Sequence, residues 1–406
     1  MQNKKHVVLV SSGQPSLNPR LVKEADSLAQ AGFKVTVLYA YWNAWGTQLD
    51  KELLKTKQWQ AVRTGGDPET KTFTYLLTRI LFKISNWFTR LTGSMLMAEV
   101  AIARNSLFLI KKTKTIRADL YIGHYPGALA AVVKAAKKHH KPCGFDAEDF
   151  HRKEVNDNEN SYDYKLKSYI ENKYIPQVNY LSASSVQIGI AYHTIFKKTQ
   201  PVVLNNVFPK STLNVTNLVL NDEQPVKLFW FSQVIGPNRG LEYLCKALNL
   251  TAISFEVHLL GYCDSDYKTK LQAAYSNITF HPPTHPDNII EFASQFDIGL
   301  ALEIGFSVNN NLALSNKIFT YMQAGLAIIA SNTEAQEYLL KQHPAIGKVY
   351  DNSDIETLAS ALVYYHQNRN ELLLARQAAL QLAHQEYNWE NESQKFLAIV
   401  KKTLAD

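Results

Sequence analysis

Cysteine is scarce in this chain of 406 residues: there are three, at positions 143, 245 and 263. They are far apart and form no CxxC pair, so neither a zinc site of ordinary spacing nor a disulfide framework is expected, and a reducing compartment is the simplest reading. Long apolar runs are missing as well. No stretch of eighteen apolar residues occurs, so nothing is expected to span a bilayer. The opening MQNKKHVVLVSSG has too short an apolar run for a signal-peptide core and no small-residue cleavage site; it reads as a first β-strand. The Rossmann GxGxxG and the Walker lysine motif are absent, which weakens dinucleotide and P-loop readings. There is no low-complexity tract, heptad array or repeat of fixed period. Acids are outnumbered, 36 Asp and Glu against 43 Lys and Arg, for a formal charge of +7. That balance favours anionic partners: nucleic acid, acidic lipid or phosphorylated small molecules. The cations are dispersed and no RNA or DNA motif is recognisable, so nucleic acid is not the expected partner.

What is present is βα alternation. HVVLV (6–10), a loop, the helical RLVKEADSLAQAG and the strand FKVTVLYA make a βαβ unit, which implies a parallel sheet covered by helices. ADLYIGH (118–124), PGALAAVVKAAKKHH, PCGFDAED, YKLKSYIENKYIPQ, VNYLSASS and VVLNNV continue the pattern to about residue 208. The polar stretch 209–225 reads as a linker, after which alternation restarts with KLFWFSQ and runs through DIGLALE and AIIAS. The fold class expected is α/β, with two doubly wound Rossmann-like domains, 1–208 and 209–386. Ligands of such sheets bind beyond the strand C-termini, which favours a site in a cleft between two facing domains.

The segment LSNKIFTYMQAGLAIIAS (314–331) poses an electrostatic question. Ile318, Phe319 and Met322 share a helical face, Ser315 is a candidate N-cap, and Gly325 closes the helix. Lys317 then falls in the first turn, where the helix dipole already presents positive charge. An anion would resolve the conflict: Ser315, Asn316 and Lys317 form a candidate phosphate site. Arg239, before Gly240 in FWFSQVIGPNRGLEYL, offers a second, and the SSG loop with Gly13 a third. Together they suggest a bound diphosphate. His124 ends a strand and suits contact with a sugar hydroxyl or carbonyl. Asp146, Glu148 and Asp149 end another strand, as acceptor ligands or base on one reading and loop solvation on the other. The DSD at 264–266 sits just before a helix and reads as capping rather than as a metal motif.

These motifs, in this order, resemble GT-B glycosyltransferases, and family four in particular. SNKIFTYMQAGLAIIAS is similar to their nucleotide-sugar segment, FSQVIGPNRGLEYLCKAL to their diphosphate loop, and GFDAEDFH to a strand end beside the active site. NPRLVKEADSLAQAGFKVTVL resembles their first helix and second strand, ADLYIGHYPGALAAVVKAA the region of the catalytic histidine, and YNWENESQKFLAIV the closing helix, which implies that 387–406 packs back on the first domain. The resemblance implies catalytic roles for His124, Glu303, Asp146 and Glu148. It places Gly13, Gln233, Arg239, Ser315, Asn316 and Lys317 on the donor diphosphate, and Thr320 and Glu337 at the nucleotide. Three departures stand out: Gln233 replaces an arginine, and the paired glutamates fall on Leu312 and Thr320. Glu303 is the nearest upstream acid to stand in.

The function so implied is sugar transfer from a nucleoside diphosphate sugar to a hydroxyl of a glycan or lipid-linked acceptor, retaining and without metal or other cofactor. A non-catalytic GT-B-like binding protein and a GT-B nucleotide-sugar epimerase are the alternatives. Cytoplasmic placement, peripheral on the inner membrane face, is expected. Residues 73–93 bear on this, because Leu76, Ile80, Ile84 and Trp87 or Phe88 line one side while Arg79, Lys83 and Arg90 supply cations without an intervening acid. Two readings stand: a helix lying on an anionic membrane, or one packed on its own domain with a solvated face.

Overall fold

The structure is a computed structural model that describes residues 4–218 and 224–405. Two compact units emerge, one of Met1–Leu204, Ser307–Asn309 and Ser393–Asp406, the other of Asn205–Phe306 and Asn310–Glu392. Each contains a fully parallel sheet.

The first unit has strands β1 (His6–Ser11), β2 (Lys34–Ala40), β3 (Gln60–Thr64), β4 (Leu120–His124), β5 (Cys143–Ala147), β6 (Tyr180–Ala183) and β7 (Val202–Val203). Their spatial order is β3-β2-β1-β4-β5-β6-β7. Helices cover both faces, so central strands are apolar without alternation: Val7, Val8, Leu9 and Val10 are all fully buried. Val7, Leu9, Val35 and Val37 pack with Leu21 and Leu28 of the Pro19–Gln30 helix and with Phe396 and Val400 of the Trp389–Ala405 helix. Asn18 Oδ1 caps the Pro19–Gln30 helix by accepting from the Leu21 amide at 3.0 Å, with proline at the first position. The strand order reverses between β1 and β4, where Ser11 stands opposite His124.

The second unit has β8 (Lys227–Ile235), β9 (Glu256–Cys263), β10 (Ile278–His281), β11 (Ile298–Ala301), β12 (Ala327–Ser331) and β13 (Gly347–Tyr350), ordered β10-β9-β8-β11-β12-β13. Alternation along β8 builds two layers. Leu228 and Trp230 enter one with Leu244 and Leu362; Phe229 enters the other with Ile318, Phe319 and Met322, stacking on Phe296 at 4.8 Å. The reversal here falls between β8 and β11.

The Asn316–Gln323 helix forms as the sequence leads one to expect. Ser315 Oγ accepts from the Lys317 amide at 3.3 Å, and Gly325 follows with φ +67°. Likewise Asp264 caps Ser265–Ala274, accepting from Tyr267 N at 2.9 Å. Strands β3 and β13 and the Ala44–Leu53 and Ser106–Thr113 helices had no clear sequence signal. Part of the expected 209–225 linker, 219–223, lies outside the described residues; Val215–Asn217 forms a single 3-10 turn and Leu218 is buried. Among the described residues no helix is long and apolar enough to cross a membrane.

Candidate functional site

Each switch point carries a group of polar side chains. In the second unit the loops after β8 and β11 border a cavity of about 510 Å³ lined by Trp230, Asn238, Arg239, Glu303, Phe306, Asn310 and Lys317, among others. Gly240 makes the β8 loop possible. Its φ is +83°, and a Cβ there would lie 2.6 Å from Leu302. Asn238 is also left-handed, at φ +60°, so the loop turns sharply and delivers Arg239 to the cavity. Arg239 Nη1 donates to Ser232 Oγ at 3.0 Å but is otherwise exposed.

Lys317 answers its electrostatic problem internally. Its Nζ donates to Glu303 Oε1 at 2.7 Å and lies 5.7 Å from the centre of the Trp230 ring. Burial pushes the Glu303 carboxyl up, but Lys317 and a hydrogen bond from Ser315 outweigh it and hold the acid below its usual range. Gln336 Nε2 donates to the other carboxylate oxygen at 3.2 Å, and Ser331 Oγ and Asn352 Nδ2 donate to the Glu303 carbonyl at 2.6 and 3.2 Å. Glu303 is therefore a fixed anion, and Lys317 a cation held in place at the cavity wall.

Other expected donor residues are placed elsewhere. Thr320 is buried, and its Oγ1 donates back to the Asn316 carbonyl at 3.2 Å, so its hydroxyl is occupied within the helix. Glu337 pairs with Lys341 at 2.9 Å on a helix surface, while its neighbour Gln336 turns inward to Glu303. Gln233 is exposed on β8 and is not among the residues lining the cavity. Asn316 is exposed at the start of its helix, and Ser315 serves as cap. Trp230, Asn310 and Gln336 were not anticipated. Trp230 reads as core, which it also is.

In the first unit a buried charge cluster crosses the β1–β4–β5 region. Arg20 binds Asp146 bidentately, Nε to Oδ2 at 2.5 Å and Nη2 to Oδ1 at 2.7 Å, and Ser182 Oγ donates to the same carboxylate. His124 Nε2 lies 3.0 Å from Glu24 Oε2, in ion-pair contact outside hydrogen-bond alignment, and Nδ1 lies 3.6 Å from Asp146 Oδ2. Burial would lower the imidazole pKa, but Glu24 and Asp146 raise it, and the net direction is up. The structure gives both expected catalytic residues partners within the first unit. Asp146 is occupied by Arg20 and Ser182, and His124 is enclosed by two carboxylates with a side chain only 1% exposed.

Arg20 and His124 offset Glu24 and Asp146, which leaves Glu148 without a cation of its own. Its Oε2 is buried with no hydrogen-bond partner, and burial, reinforced by Asp149, pushes its carboxyl up to about 7. Burial raises Asp149 too. Next to His124, Tyr125 adopts φ +66° and ψ 151°, a conformation that costs a non-glycine residue about 1–3 kcal/mol. Its ring approaches Gly13, where a Cβ would come within 3.2 Å. The Gly13 amide donates to Ser11 Oγ at 3.1 Å, so that donor is engaged in this state. A left-handed non-glycine residue after β4 and an acid raised by burial after β5 thus stand at neighbouring strand ends, and features of both kinds concentrate at functional sites.

Residues 239–398 match the family model described as "Glycosyl transferase-like". A comparison with curated proteins found no match. Among solved structures, Anabaena HepE in complex with UDP is 14% identical, with 98% of this chain and 100% of that one covered at a TM-score of 0.66. Sucrose-phosphate synthase from Thermosynechococcus elongatus is 13% identical over 99% of this chain and 100% of its own, TM-score 0.68. A glycosyltransferase from Rickettsia africae is 15% identical, over 99% of each chain, at TM-score 0.68. Identities this low show the fold. The chain has the GT-B fold, and its residues 239–398, most of them in the second unit, match the glycosyltransferase-like model.

Proposed function

We propose that the chain transfers a sugar from a nucleoside diphosphate sugar to a hydroxyl of a glycan or lipid-linked acceptor. The observation that carries this reading is the meeting of Arg239 and Lys317 on one cavity at the β8–β11 switch point, beside the partly buried Glu303. The diphosphate occupies that cavity. As the bond from the sugar's anomeric carbon to the phosphate oxygen breaks, negative charge grows on the leaving diphosphate and the two cations stabilise it. The acceptor oxygen bonds to the same carbon, and its proton passes to a leaving phosphate oxygen on the same face, with retention. Protein cations do this work, so no metal is needed and a chelator leaves the rate unchanged. Glu303, anchored by Lys317, Gln336 and Ser315, presents its edge to the donor sugar.

The UDP bound to HepE makes UDP the first nucleotide to test. Incubation with UDP-, GDP- and ADP-sugars and a panel of glycan and lipid-linked acceptors should give transfer with one donor, reduced at least about tenfold by Arg239→Ala. A second reading, a GT-B-like binding protein without catalysis, draws on the buried Thr320 and outlying Gln233. Nucleotide binding with neither transfer nor donor hydrolysis would favour it.

A further inference from the structure

The Thr72–Thr92 helix is built inside out for a packed surface helix. Its buried residues are Thr78, Ser85 and Thr89, small and hydroxylated, and Leu81, Phe82 and Phe88 are half-buried, while seven large apolar side chains face outward. Phe73 is 82% exposed, Ile80 53%, Ile84 50%, Trp87 65% and Leu91 68%, with Leu76 and Leu77 beside them. Their spacing is that of one helical face continued over the whole length. Leu96, just past the helix, is 86% exposed and extends the surface. A contiguous patch of this kind marks an interaction site, since solvent exposure of so many large apolar groups is unfavourable.

The flanking charge identifies the occupant. The helix contains Arg79, Lys83 and Arg90 and no acid. Arg79 and Arg90 lie over the Tyr75 and Tyr162 rings, at 5.0 and 4.3 Å, on the borders of the apolar strip, and Lys83 is exposed. At its amino end the helix adjoins a cavity of about 630 Å³ lined by Lys71, Lys111 and Lys112, by Arg63 paired with Asp67 at 3.6 Å, and by Thr70 and Thr74. A protein partner would need a groove of matching shape. A lipid surface needs only an apolar strip edged by cations, and that is what the first unit presents.

We propose that this face lies in the interfacial plane of an anionic membrane, with Ile80, Ile84, Trp87 and Leu91 among the acyl chains and Lys71, Arg79, Lys83 and Arg90 at lipid phosphates. The inference is independent of the donor chemistry. Vesicle sedimentation of the full chain tests it, using phosphatidylcholine with and without phosphatidylglycerol. Binding is expected with the mixed vesicles, weakened by salt, and lowered about fivefold by Lys83→Ala. The triple variant Ile80→Ser, Ile84→Ser, Trp87→Ser should lose binding while its melting temperature holds, because these side chains are exposed. Failure of the wild-type chain to bind mixed vesicles would overturn the proposal. So would binding that survives the triple variant, or a wild-type dimer in sedimentation velocity that the triple variant dissociates while vesicle binding is absent; the face would then belong to a second copy.

Discussion

A lysine in the first turn of a helix opposes the dipole, and Lys317 is tolerated there because Glu303 stands 2.7 Å away. Both side chains are mostly buried, so truncating the lysine leaves an uncompensated acid. Lys317→Ala should cost about 3 kcal/mol in denaturant titrations, and the double variant with Glu303→Gln should recover much of that. Thr320 makes a different point. The resemblance places a ribose-binding glutamate at that position, yet the site is 1% exposed in a packed layer. Thr320→Glu should therefore destabilise the fold by about 3 kcal/mol or more and leave nucleotide affinity no better. Glu148 gives a pH signature. Its folded pKa is raised to about 7, so its contribution to stability is full below its ordinary pKa and is lost as pH rises through 7. Glu148→Gln should match the wild-type melting temperature at pH 5 and exceed it at pH 8. Residue-level legibility was uneven for a physical reason. Arg239 and Lys317 were legible because cations beside strand C-termini point to anions in any α/β sheet. Gln336 was not, since neighbouring helix positions differ by about 100° and the sequence drew attention to Glu337.

At the scale of elements, apolar strands and capped helices were readable, and β1, β2, β4, β5, β8 and β12 lie where periodicity places them. Strand β3, QAVRT, is short and half-polar at the sheet edge, and β13 begins with glycine, so neither carries the signature of a buried strand. The inverted Thr72–Thr92 helix could not be settled by pattern, because amphipathicity does not say which face the protein takes. One acid links helices elsewhere in the first unit. Glu99 ties Lys134 of the Pro126–His139 helix to Lys173 and Tyr174 of the Tyr162–Tyr174 helix. Burial pushes its carboxyl up, but these three partners bring it down to about 2. Its stabilisation is present above pH 4.5 and fades as pH falls toward 2. Glu99→Gln should cost about 1–2 kcal/mol at neutral pH, allowing for solvent screening, with the difference closing in acid melts.

At the scale of the molecule, two parallel sheets each reverse their strand order once, and Arg239, Glu303 and Lys317 in the second unit and His124 in the first gather at those reversals, while Gln233, Thr320 and Glu337 do not. Topology explains why residues as distant as Arg239, Glu303 and Lys317 meet. It does not choose their ligand; the charges do. Titration calorimetry of UDP, GDP and ADP against the full chain, with the Lys317→Ala and Arg239→Ala variants alongside, tests whether the two cations hold a diphosphate. Saturable binding of one nucleoside diphosphate is expected, weakened at least about tenfold by either substitution, with the folded state of each variant verified by its melting curve. Absence of binding by all three, or binding indifferent to both substitutions, would contradict it.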